Sequence, residues 1–282
     1  MKTFVHDSVP ARAIAPCGHD EAAAIAQTEL QRILALVNSL SPEEWTLPTV
    51  CDLWDVRQLV AHIAGSAAAW SSWAEFSRQN NRTLQKPYRE RGMTMIDAQN
   101  QIQVDDRENH TPEELVTELQ AEGPKAIAFR KRLPAPVRAI RLPMGLVFPF
   151  GSTFVSIGYL TDVMLPRDWW MHRLDLSRAT NHEMHLTAEH DGRMTALVMR
   201  DLVRILKGTI GDSGVLYDLT GTAGGSWTVG AGETAATIHM DALDFHLLAS
   251  GRMTADDIQP RIAIEGNPDL AQRALVHTVV AY

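Results

Sequence analysis

The chain has 282 residues, 45% of them hydrophobic and 21% charged, with a formal net charge of -8. That length suits two domains, each able to bury a core of its own, and an ordinary share of Gly and Pro speaks against long disorder. An acidic balance without a dense Lys/Arg stripe points away from nucleic acid, and apolar runs such as "LVAHIAGSAAAW" fall short of the roughly 20 residues of a membrane span.

The first residues hold no continuous apolar stretch of the secretory kind, so the expectation is a cytoplasmic protein with small-molecule partners, monomeric or weakly dimeric. In that compartment Cys17 and Cys51 read as free thiols. Residues 20–39 repeat apolar side chains at helical spacing, placing Ile25, Leu30, Ile33, Leu34 and Val37 on one face. "SPEEW" opens a new turn. Asp52 or Asp55 then caps a helix expected to run through "VRQLVAHIAGSAAAWSSWAEFSR", rich in alanine and largely buried. Residues 80–110 are polar, with one short helix expected around "MTMIDAQNQIQV".

In "TPEEL", Thr111 is the cap, Pro112 the first helical residue and Glu114 the residue that reaches back, opening a helix to about Arg132. The Pro- and Gly-rich stretch 134–152 reads as a long loop. A fourth long helix is expected over most of 153–179, bent at Pro166 and ended by "ATNH". Four such helices suggest an antiparallel bundle with its pocket between them. After residue 186 a further helix, "DGRMTALVMRDLVRILKG", leads into alternating segments: "VLYDLTG", "GSWTVG", "ATIHMD" and "RIAIEG" read as strands, "ALDFHLLASG" and "PDLAQRALVHTVV" as helices. The expected organisation is an extension over 1–19, a four-helix domain over 20–183 and a smaller α+β domain over 184–282.

Asp168 and His172 stand four apart and share a helix face, a spacing that suits two ligands of one ion, although such pairs also arise as surface hydrogen bonds. His62 lies among Leu59, Val60 and Ile63, where an imidazole needs a partner; taken alone it reads as a satisfied core histidine. Brought together, the three would form a site with a fourth position open to water or substrate, the pattern of a catalytic ion. Asp175 either orients His172 or pairs with Arg178 on the surface. Trp169 and Trp170 are core residues or a pocket wall. "HEMH" at 182–185 lacks the spacing of the HExxH zinc motif and reads, with His190, as an exposed linker. "GTAGGSW" reads as a hairpin turn and not a phosphate loop.

"LSPEEWTLPTVCDLWDVRQLVAHIAG" followed by "DWWMHRLDLSRAT" resembles the metal-binding N-terminal domain of mycothiol-dependent maleylpyruvate isomerases, a branch of the DinB superfamily. "DFHLLASGRMTADDIQPRIAIEGNPDLAQRAL" is similar to the second domain of that family, which is SCP2-like. The resemblance implies His62, Asp168 and His172 as ligands of a divalent metal, zinc being favoured. Asp168 stands where the family has Glu, a shorter arm to be offset by a small helix shift or a bridging water. It also implies that Arg252, in "LASGRMT", faces the thiol cosubstrate mycothiol, where a guanidinium suits a carboxylate; a cation at a helix C-terminus is the competing reading. The expected activity is a thiol transferase or isomerase acting on a small electrophile, with His62, Asp168, His172 and Asp175 at the reaction centre. A thiol-independent metallohydrolase and a non-catalytic binder of an apolar ligand are the alternatives.

Overall fold

A computed structural model describes residues 8–51, 54–143 and 154–282. Among these, residues 18–143 and 154–184 form one compact unit and residues 8–17 and 185–282 another. No described helix is long and apolar enough to cross a membrane.

Strand β1 (Val9–Pro10) precedes the helical unit and belongs to the other one. Helix α1 (His19–Val37) begins where the Gly18 N–H donates to Glu21 Oε2 at 3.0 Å, and its stripe of Ile25, Leu30, Ile33 and Val37 is buried as the spacing requires. Helix α2 (Val56–Ala69) is capped by Asp55, whose Oδ1 accepts from the Gln58 N–H at 2.7 Å while Gln58 Oε1 accepts from the Asp55 N–H at 3.0 Å. Asp52, the other candidate cap, lies outside the described residues. The single helix expected to reach Arg78 is broken after Ala69. Ser72 turns its hydroxyl onto the Glu75 N–H at 3.2 Å and starts α3 (Trp73–Gln79), the local side-chain competition by which serine ends one helix and caps the next.

The polar stretch that follows contains two helices where one was expected. Asn81 caps α4 (Arg82–Glu90), and Thr94 with Asp97 forms a capping box at α5 (Met95–Asp105). Helix α6 (Pro112–Lys131) starts as "TPEEL" dictates, with Thr111 Oγ1 accepting from the Glu114 N–H and Glu114 Oε2 accepting from the Thr111 N–H at 2.8 Å. The described part of the expected loop holds a helical turn at Ala135–Arg138 and strand β2 (Arg141–Pro143), antiparallel to β3 (Phe154–Ser156); positions 144–152 lie outside the described residues. The fourth long helix therefore starts later than its apolar pattern suggests. A helical turn at Ile157–Tyr159 passes into a π-helical stretch, Leu160–Met164, and then α7 (Leu165–Thr180). Pro166 falls in the first turn of α7, where its missing donor matters little, and Asn181 ends the helix at φ 55°.

Helix α1 packs on α6 and α7, and α2 packs on the same two, so the four longest helices close a ring around Leu30, Ile33, Leu59, Ile63, Leu115, Leu119 and Trp169. Arg173 ties α7 to α1 through a buried bidentate pair with Glu29, at 2.7 and 3.1 Å. Helix α5 lies against α2 at Gly65. A Cβ at Gly65 would sit 2.5 Å from Gln103 Cβ and 2.9 Å from Arg107 Nη1, so only glycine admits this approach.

In the second unit a five-stranded sheet has the order β1-β5-β4-β6-β7. Strands β4 (Gly214–Thr220) and β5 (Gly225–Val229) form the hairpin expected around "GTAGGSW", β6 (Thr234–Asp241) runs parallel to β4, and β7 (Ala263–Gly266) is antiparallel to β6. Helices α8 (Arg193–Ile205), α9 (Ala242–Ala249) and α10 (Pro268–Val276) supply Val198, Leu202, Phe245, Leu248 and Leu275 to a core that also contains Tyr217 and Ile238 of the sheet. The structure thus combines a helical unit with an α+β unit. The residues set apart as an extension are not separate throughout: Val9 and Pro10 pair with Trp227 and Thr228 and occupy the edge of β5, because an open edge leaves backbone groups to be satisfied.

Propensity alone would make Gly65→Ala stabilising by about 1 kcal/mol. The contact with α5 reverses the sign: a net destabilisation of about 1–3 kcal/mol is expected from overpacking, read as a lower urea midpoint.

Candidate metal centre

Three elements bring the site together. The capping box of α2 sets that helix's start and places His62 in its buried middle, 3% exposed. Helix α7 carries Asp168 and His172 one turn apart on a shared face. The loop before α2 lays the Trp54 indole over the His62 ring, with centroids 5.0 Å apart and planes 29° from parallel. His62 and His172 meet edge to face at 4.9 Å.

His62, Asp168 and His172 each offer one ligand atom, and these lie within 4.8 Å of one another. Asp168 Oδ1 is 3.3 Å from His172 Nε2, close to the roughly 3.3 Å that separates two ligands in a tetrahedral zinc shell. The shorter acid therefore reaches its neighbour within the helix. Behind His172, Asp175 Oδ2 accepts from Nδ1 at 3.1 Å, which supports the orienting reading of Asp175; Arg178, its other candidate partner, is exposed. Cys51 Sγ lies 3.9 Å from Asp175 Oδ2, on the Nδ1 side of His172.

The two imidazoles are driven in opposite directions. Burial, reinforced by the nearby His172 charge, pushes His62 down from 6.5 to about 4. Burial also opposes a charge on His172, but the Asp168 carboxylate and the bonds to Asp168, Asp175 and Cys51 outweigh it and raise its pKa well above 6.5. His62 is thus neutral at pH 7. Its Nδ1 bonds Gln103 Oε1 at 2.8 Å, whereas Nε2 is buried and has no hydrogen-bond partner among the described residues. A lone buried nitrogen beside a carboxylate and a second imidazole is the donor set of a catalytic zinc site of the two-histidine, one-carboxylate type, so the residues fit a divalent ion.

The remaining candidates fall elsewhere. Trp169 and Trp170 are core residues, 1% and 0% exposed, and Trp169 receives the Arg130 guanidinium over its ring at 5.2 Å; the aromatic against His62 is Trp54. His182 is held by Glu44 Oε1 at 2.9 Å and is half-buried, whereas His185 is exposed. Arg252 lies in the second unit, half-buried in the turn after α9. Sequence reading missed Trp54, Cys51 and Gln103. Gln103 sits between Ile102 and Val104, and nothing in that local pattern marks it as a partner of His62.

A ring of four helices that gathers two imidazoles and a carboxylate at one corner, followed by an α+β unit, defines a two-unit protein with a metal-type donor set in its helical part. The chain belongs to the mycothiol maleylpyruvate isomerase N-terminal domain family, which it matches over residues 26–177. In fold it is similar to the crystal structure of the mycothiol-dependent maleylpyruvate isomerase, with 13% identity, a TM-score of 0.55, and 89% of this chain and 94% of that chain covered. It is equally similar to the structure of a histidine-to-alanine mutant of that enzyme, at 12% identity, the same TM-score and the same coverage. No curated protein sequence matches the chain.

The pKa directions give a testable contrast in metal-free protein. His62 has a depressed folded pKa, so its contribution to stability is present above pH 6.5 and lost as pH falls towards 4. His172 has a raised one, so its contribution is present below pH 6.5 and lost as pH rises through the folded value. An NMR titration should show one ring still neutral at about pH 5 and the other still charged above 6.5; a common midpoint would contradict both assignments.

Proposed function

We propose that the protein is a metal- and mycothiol-dependent enzyme that directs a thiol onto a small electrophile, as an isomerase or an S-transferase. The observation that carries this reading is the convergence of His62, Asp168 and His172, with the His62 Nε2 atom left without a hydrogen-bond partner among the described residues. Family membership supports the thiol, since the matching family is named for a mycothiol-dependent isomerase.

In this reading His62 offers its Nε2 lone pair without first losing a proton. His172 must release its Nε2 proton, while Asp175 keeps Nδ1–H in place and so holds the ring's orientation. Asp168 supplies the anionic ligand. Three protein ligands leave a position for the cosubstrate, and the Trp54 indole shields the His62 side of the corner from water. A divalent ion held there, zinc being favoured by the nitrogen and oxygen donors, would supply positive charge that lowers the pKa of a thiol reaching the open position. Addition of that thiolate to an activated double bond makes it a single bond, about which rotation is possible; elimination then returns the thiol and gives isomerase activity. If the adduct instead takes up a proton at carbon, equivalent to the one the thiol released, or a leaving group departs with its bonding pair, the outcome is S-transfer. Arg252 is assigned to a carboxylate of the thiol or of the substrate, on the strength of the family resemblance and guanidinium chemistry.

His62→Ala and His172→Ala are each expected to abolish both bound metal, measured by elemental analysis, and mycothiol-dependent conversion, followed by mass spectrometry. Asp175→Asn should retain the ligands but weaken metal binding about 10- to 100-fold. Activity that survives exhaustive chelation would reject the metal reading. Turnover that needs metal but no thiol would favour a hydrolase.

A further inference from the structure

We infer that Gln103 and Gln79 are positioning residues that decide which nitrogen of His62 carries the proton, so that the Nε2 lone pair faces Asp168 and His172. The functional consequence rests on the metal-binding reading; the hydrogen-bond logic does not.

The relay starts at groups that can only accept. Gln79 Nε2 donates to the Gly65 carbonyl and to the Glu75 carboxylate, both at 3.0 Å. The Gln79 amide oxygen consequently faces the other way and accepts from Gln103 Nε2 at 2.8 Å. That leaves Gln103 Oε1 facing His62 Nδ1 at 2.8 Å. An amide oxygen cannot donate, so the ring proton sits on Nδ1 and Nε2 keeps its lone pair. Nε2 is the atom left without a partner among the described residues.

Turning over either amide would set donor against donor or acceptor against acceptor. Gln79 and Gln103 are 0% and 2% exposed, so water is not at hand to repair the mismatch. Gln79 is fixed from its backbone as well, where its carbonyl accepts from Gln85 Nε2 at 2.9 Å. Gly65 serves twice: its carbonyl anchors the relay, and its missing Cβ leaves the room that Gln103 occupies. The neutral imidazole of a metal site commonly hands its second N–H to a fixed acceptor. For His62 that acceptor is an amide whose direction is set by a backbone carbonyl two residues of relay away.

The test uses the metal-free protein and cobalt(II) as the probe ion. Nitrogen-15 NMR of the wild type should show His62 with a pyrrole-type Nδ1 and a pyridine-type Nε2; the reverse tautomer, or an even mixture, overturns the inference. Gln103→Leu should lose the tautomer preference and bind cobalt(II) about 10- to 100-fold more weakly in competition with a chromophoric chelator. Retention of the wild-type tautomer in that variant also overturns it. Gln103→Glu sets an acceptor against Gln79 Oε1 and should lower the urea midpoint, yet it keeps the acceptor at Nδ1 and should preserve the Nδ1–H form of the neutral ring, which a purely structural role for Gln103 would not separate from the leucine variant. If Gln103→Leu does not fold, the wild-type tautomer and Gln103→Glu decide the matter. Wild-type protein that binds no cobalt would reject the metal reading, while the tautomer measurement would still decide the relay.

Discussion

A buried imidazole has two nitrogens to satisfy, and the helical unit treats those of His62 and His172 in two different ways. His172 stands between two carboxylates, with Asp168 toward Nε2 and Asp175 toward Nδ1, and is held charged. His62 has only a neutral amide at Nδ1 and is held uncharged. A pair of like charges at 4.9 Å in a poorly solvated corner would be costly. The unequal partners remove that cost by allowing only one ring to carry a positive charge.

The surrounding elements are what make those partners available. Half of helix α2 is Ala, Gly or Ser, so α5 can lie close enough for a glutamine to reach His62, and at Gly65 no room is left for a Cβ. The break at Ser72 matters for the same reason: had the alanine-rich helix continued, Gln79 would have been carried away from Gly65 along the helix axis instead of folding back to bond its carbonyl. On the opposite side, the buried Glu29–Arg173 pair fastens α1 to α7 one residue from His172. The corner where His62, Asp168 and His172 meet is thus framed by polar contacts that are themselves buried, a condition under which each must be matched to be tolerated.

The sequence made much of this legible, though unevenly. Starts with strong capping chemistry, such as Thr111-Pro112 and Asp55, and the alternating strands of the second unit stand in the structure where their patterns put them. The break at Ser72 was hidden because alanine and tryptophan on either side outweigh the Ser71–Ser72 pair in any periodicity. Helix α4 was hidden by its polarity and by Pro87 in its interior. The three ligand candidates could be read because Asp168 and His172 share a helix face and because two stretches resemble a known family. Their supports could not. Gln103 stands 41 residues from His62 and Cys51 stands 124 from Asp175, and only tertiary packing brings such pairs within reach.

The stacking of Trp54 on His62 has an optical consequence. Indole emission responds to the electric field across its ring, and this indole, one of 7 in the chain, lies face to face with an imidazole at the corner where Asp168 and His172 also meet. The protein therefore carries an internal fluorophore whose colour and brightness register what occupies that corner, without any label having to be attached.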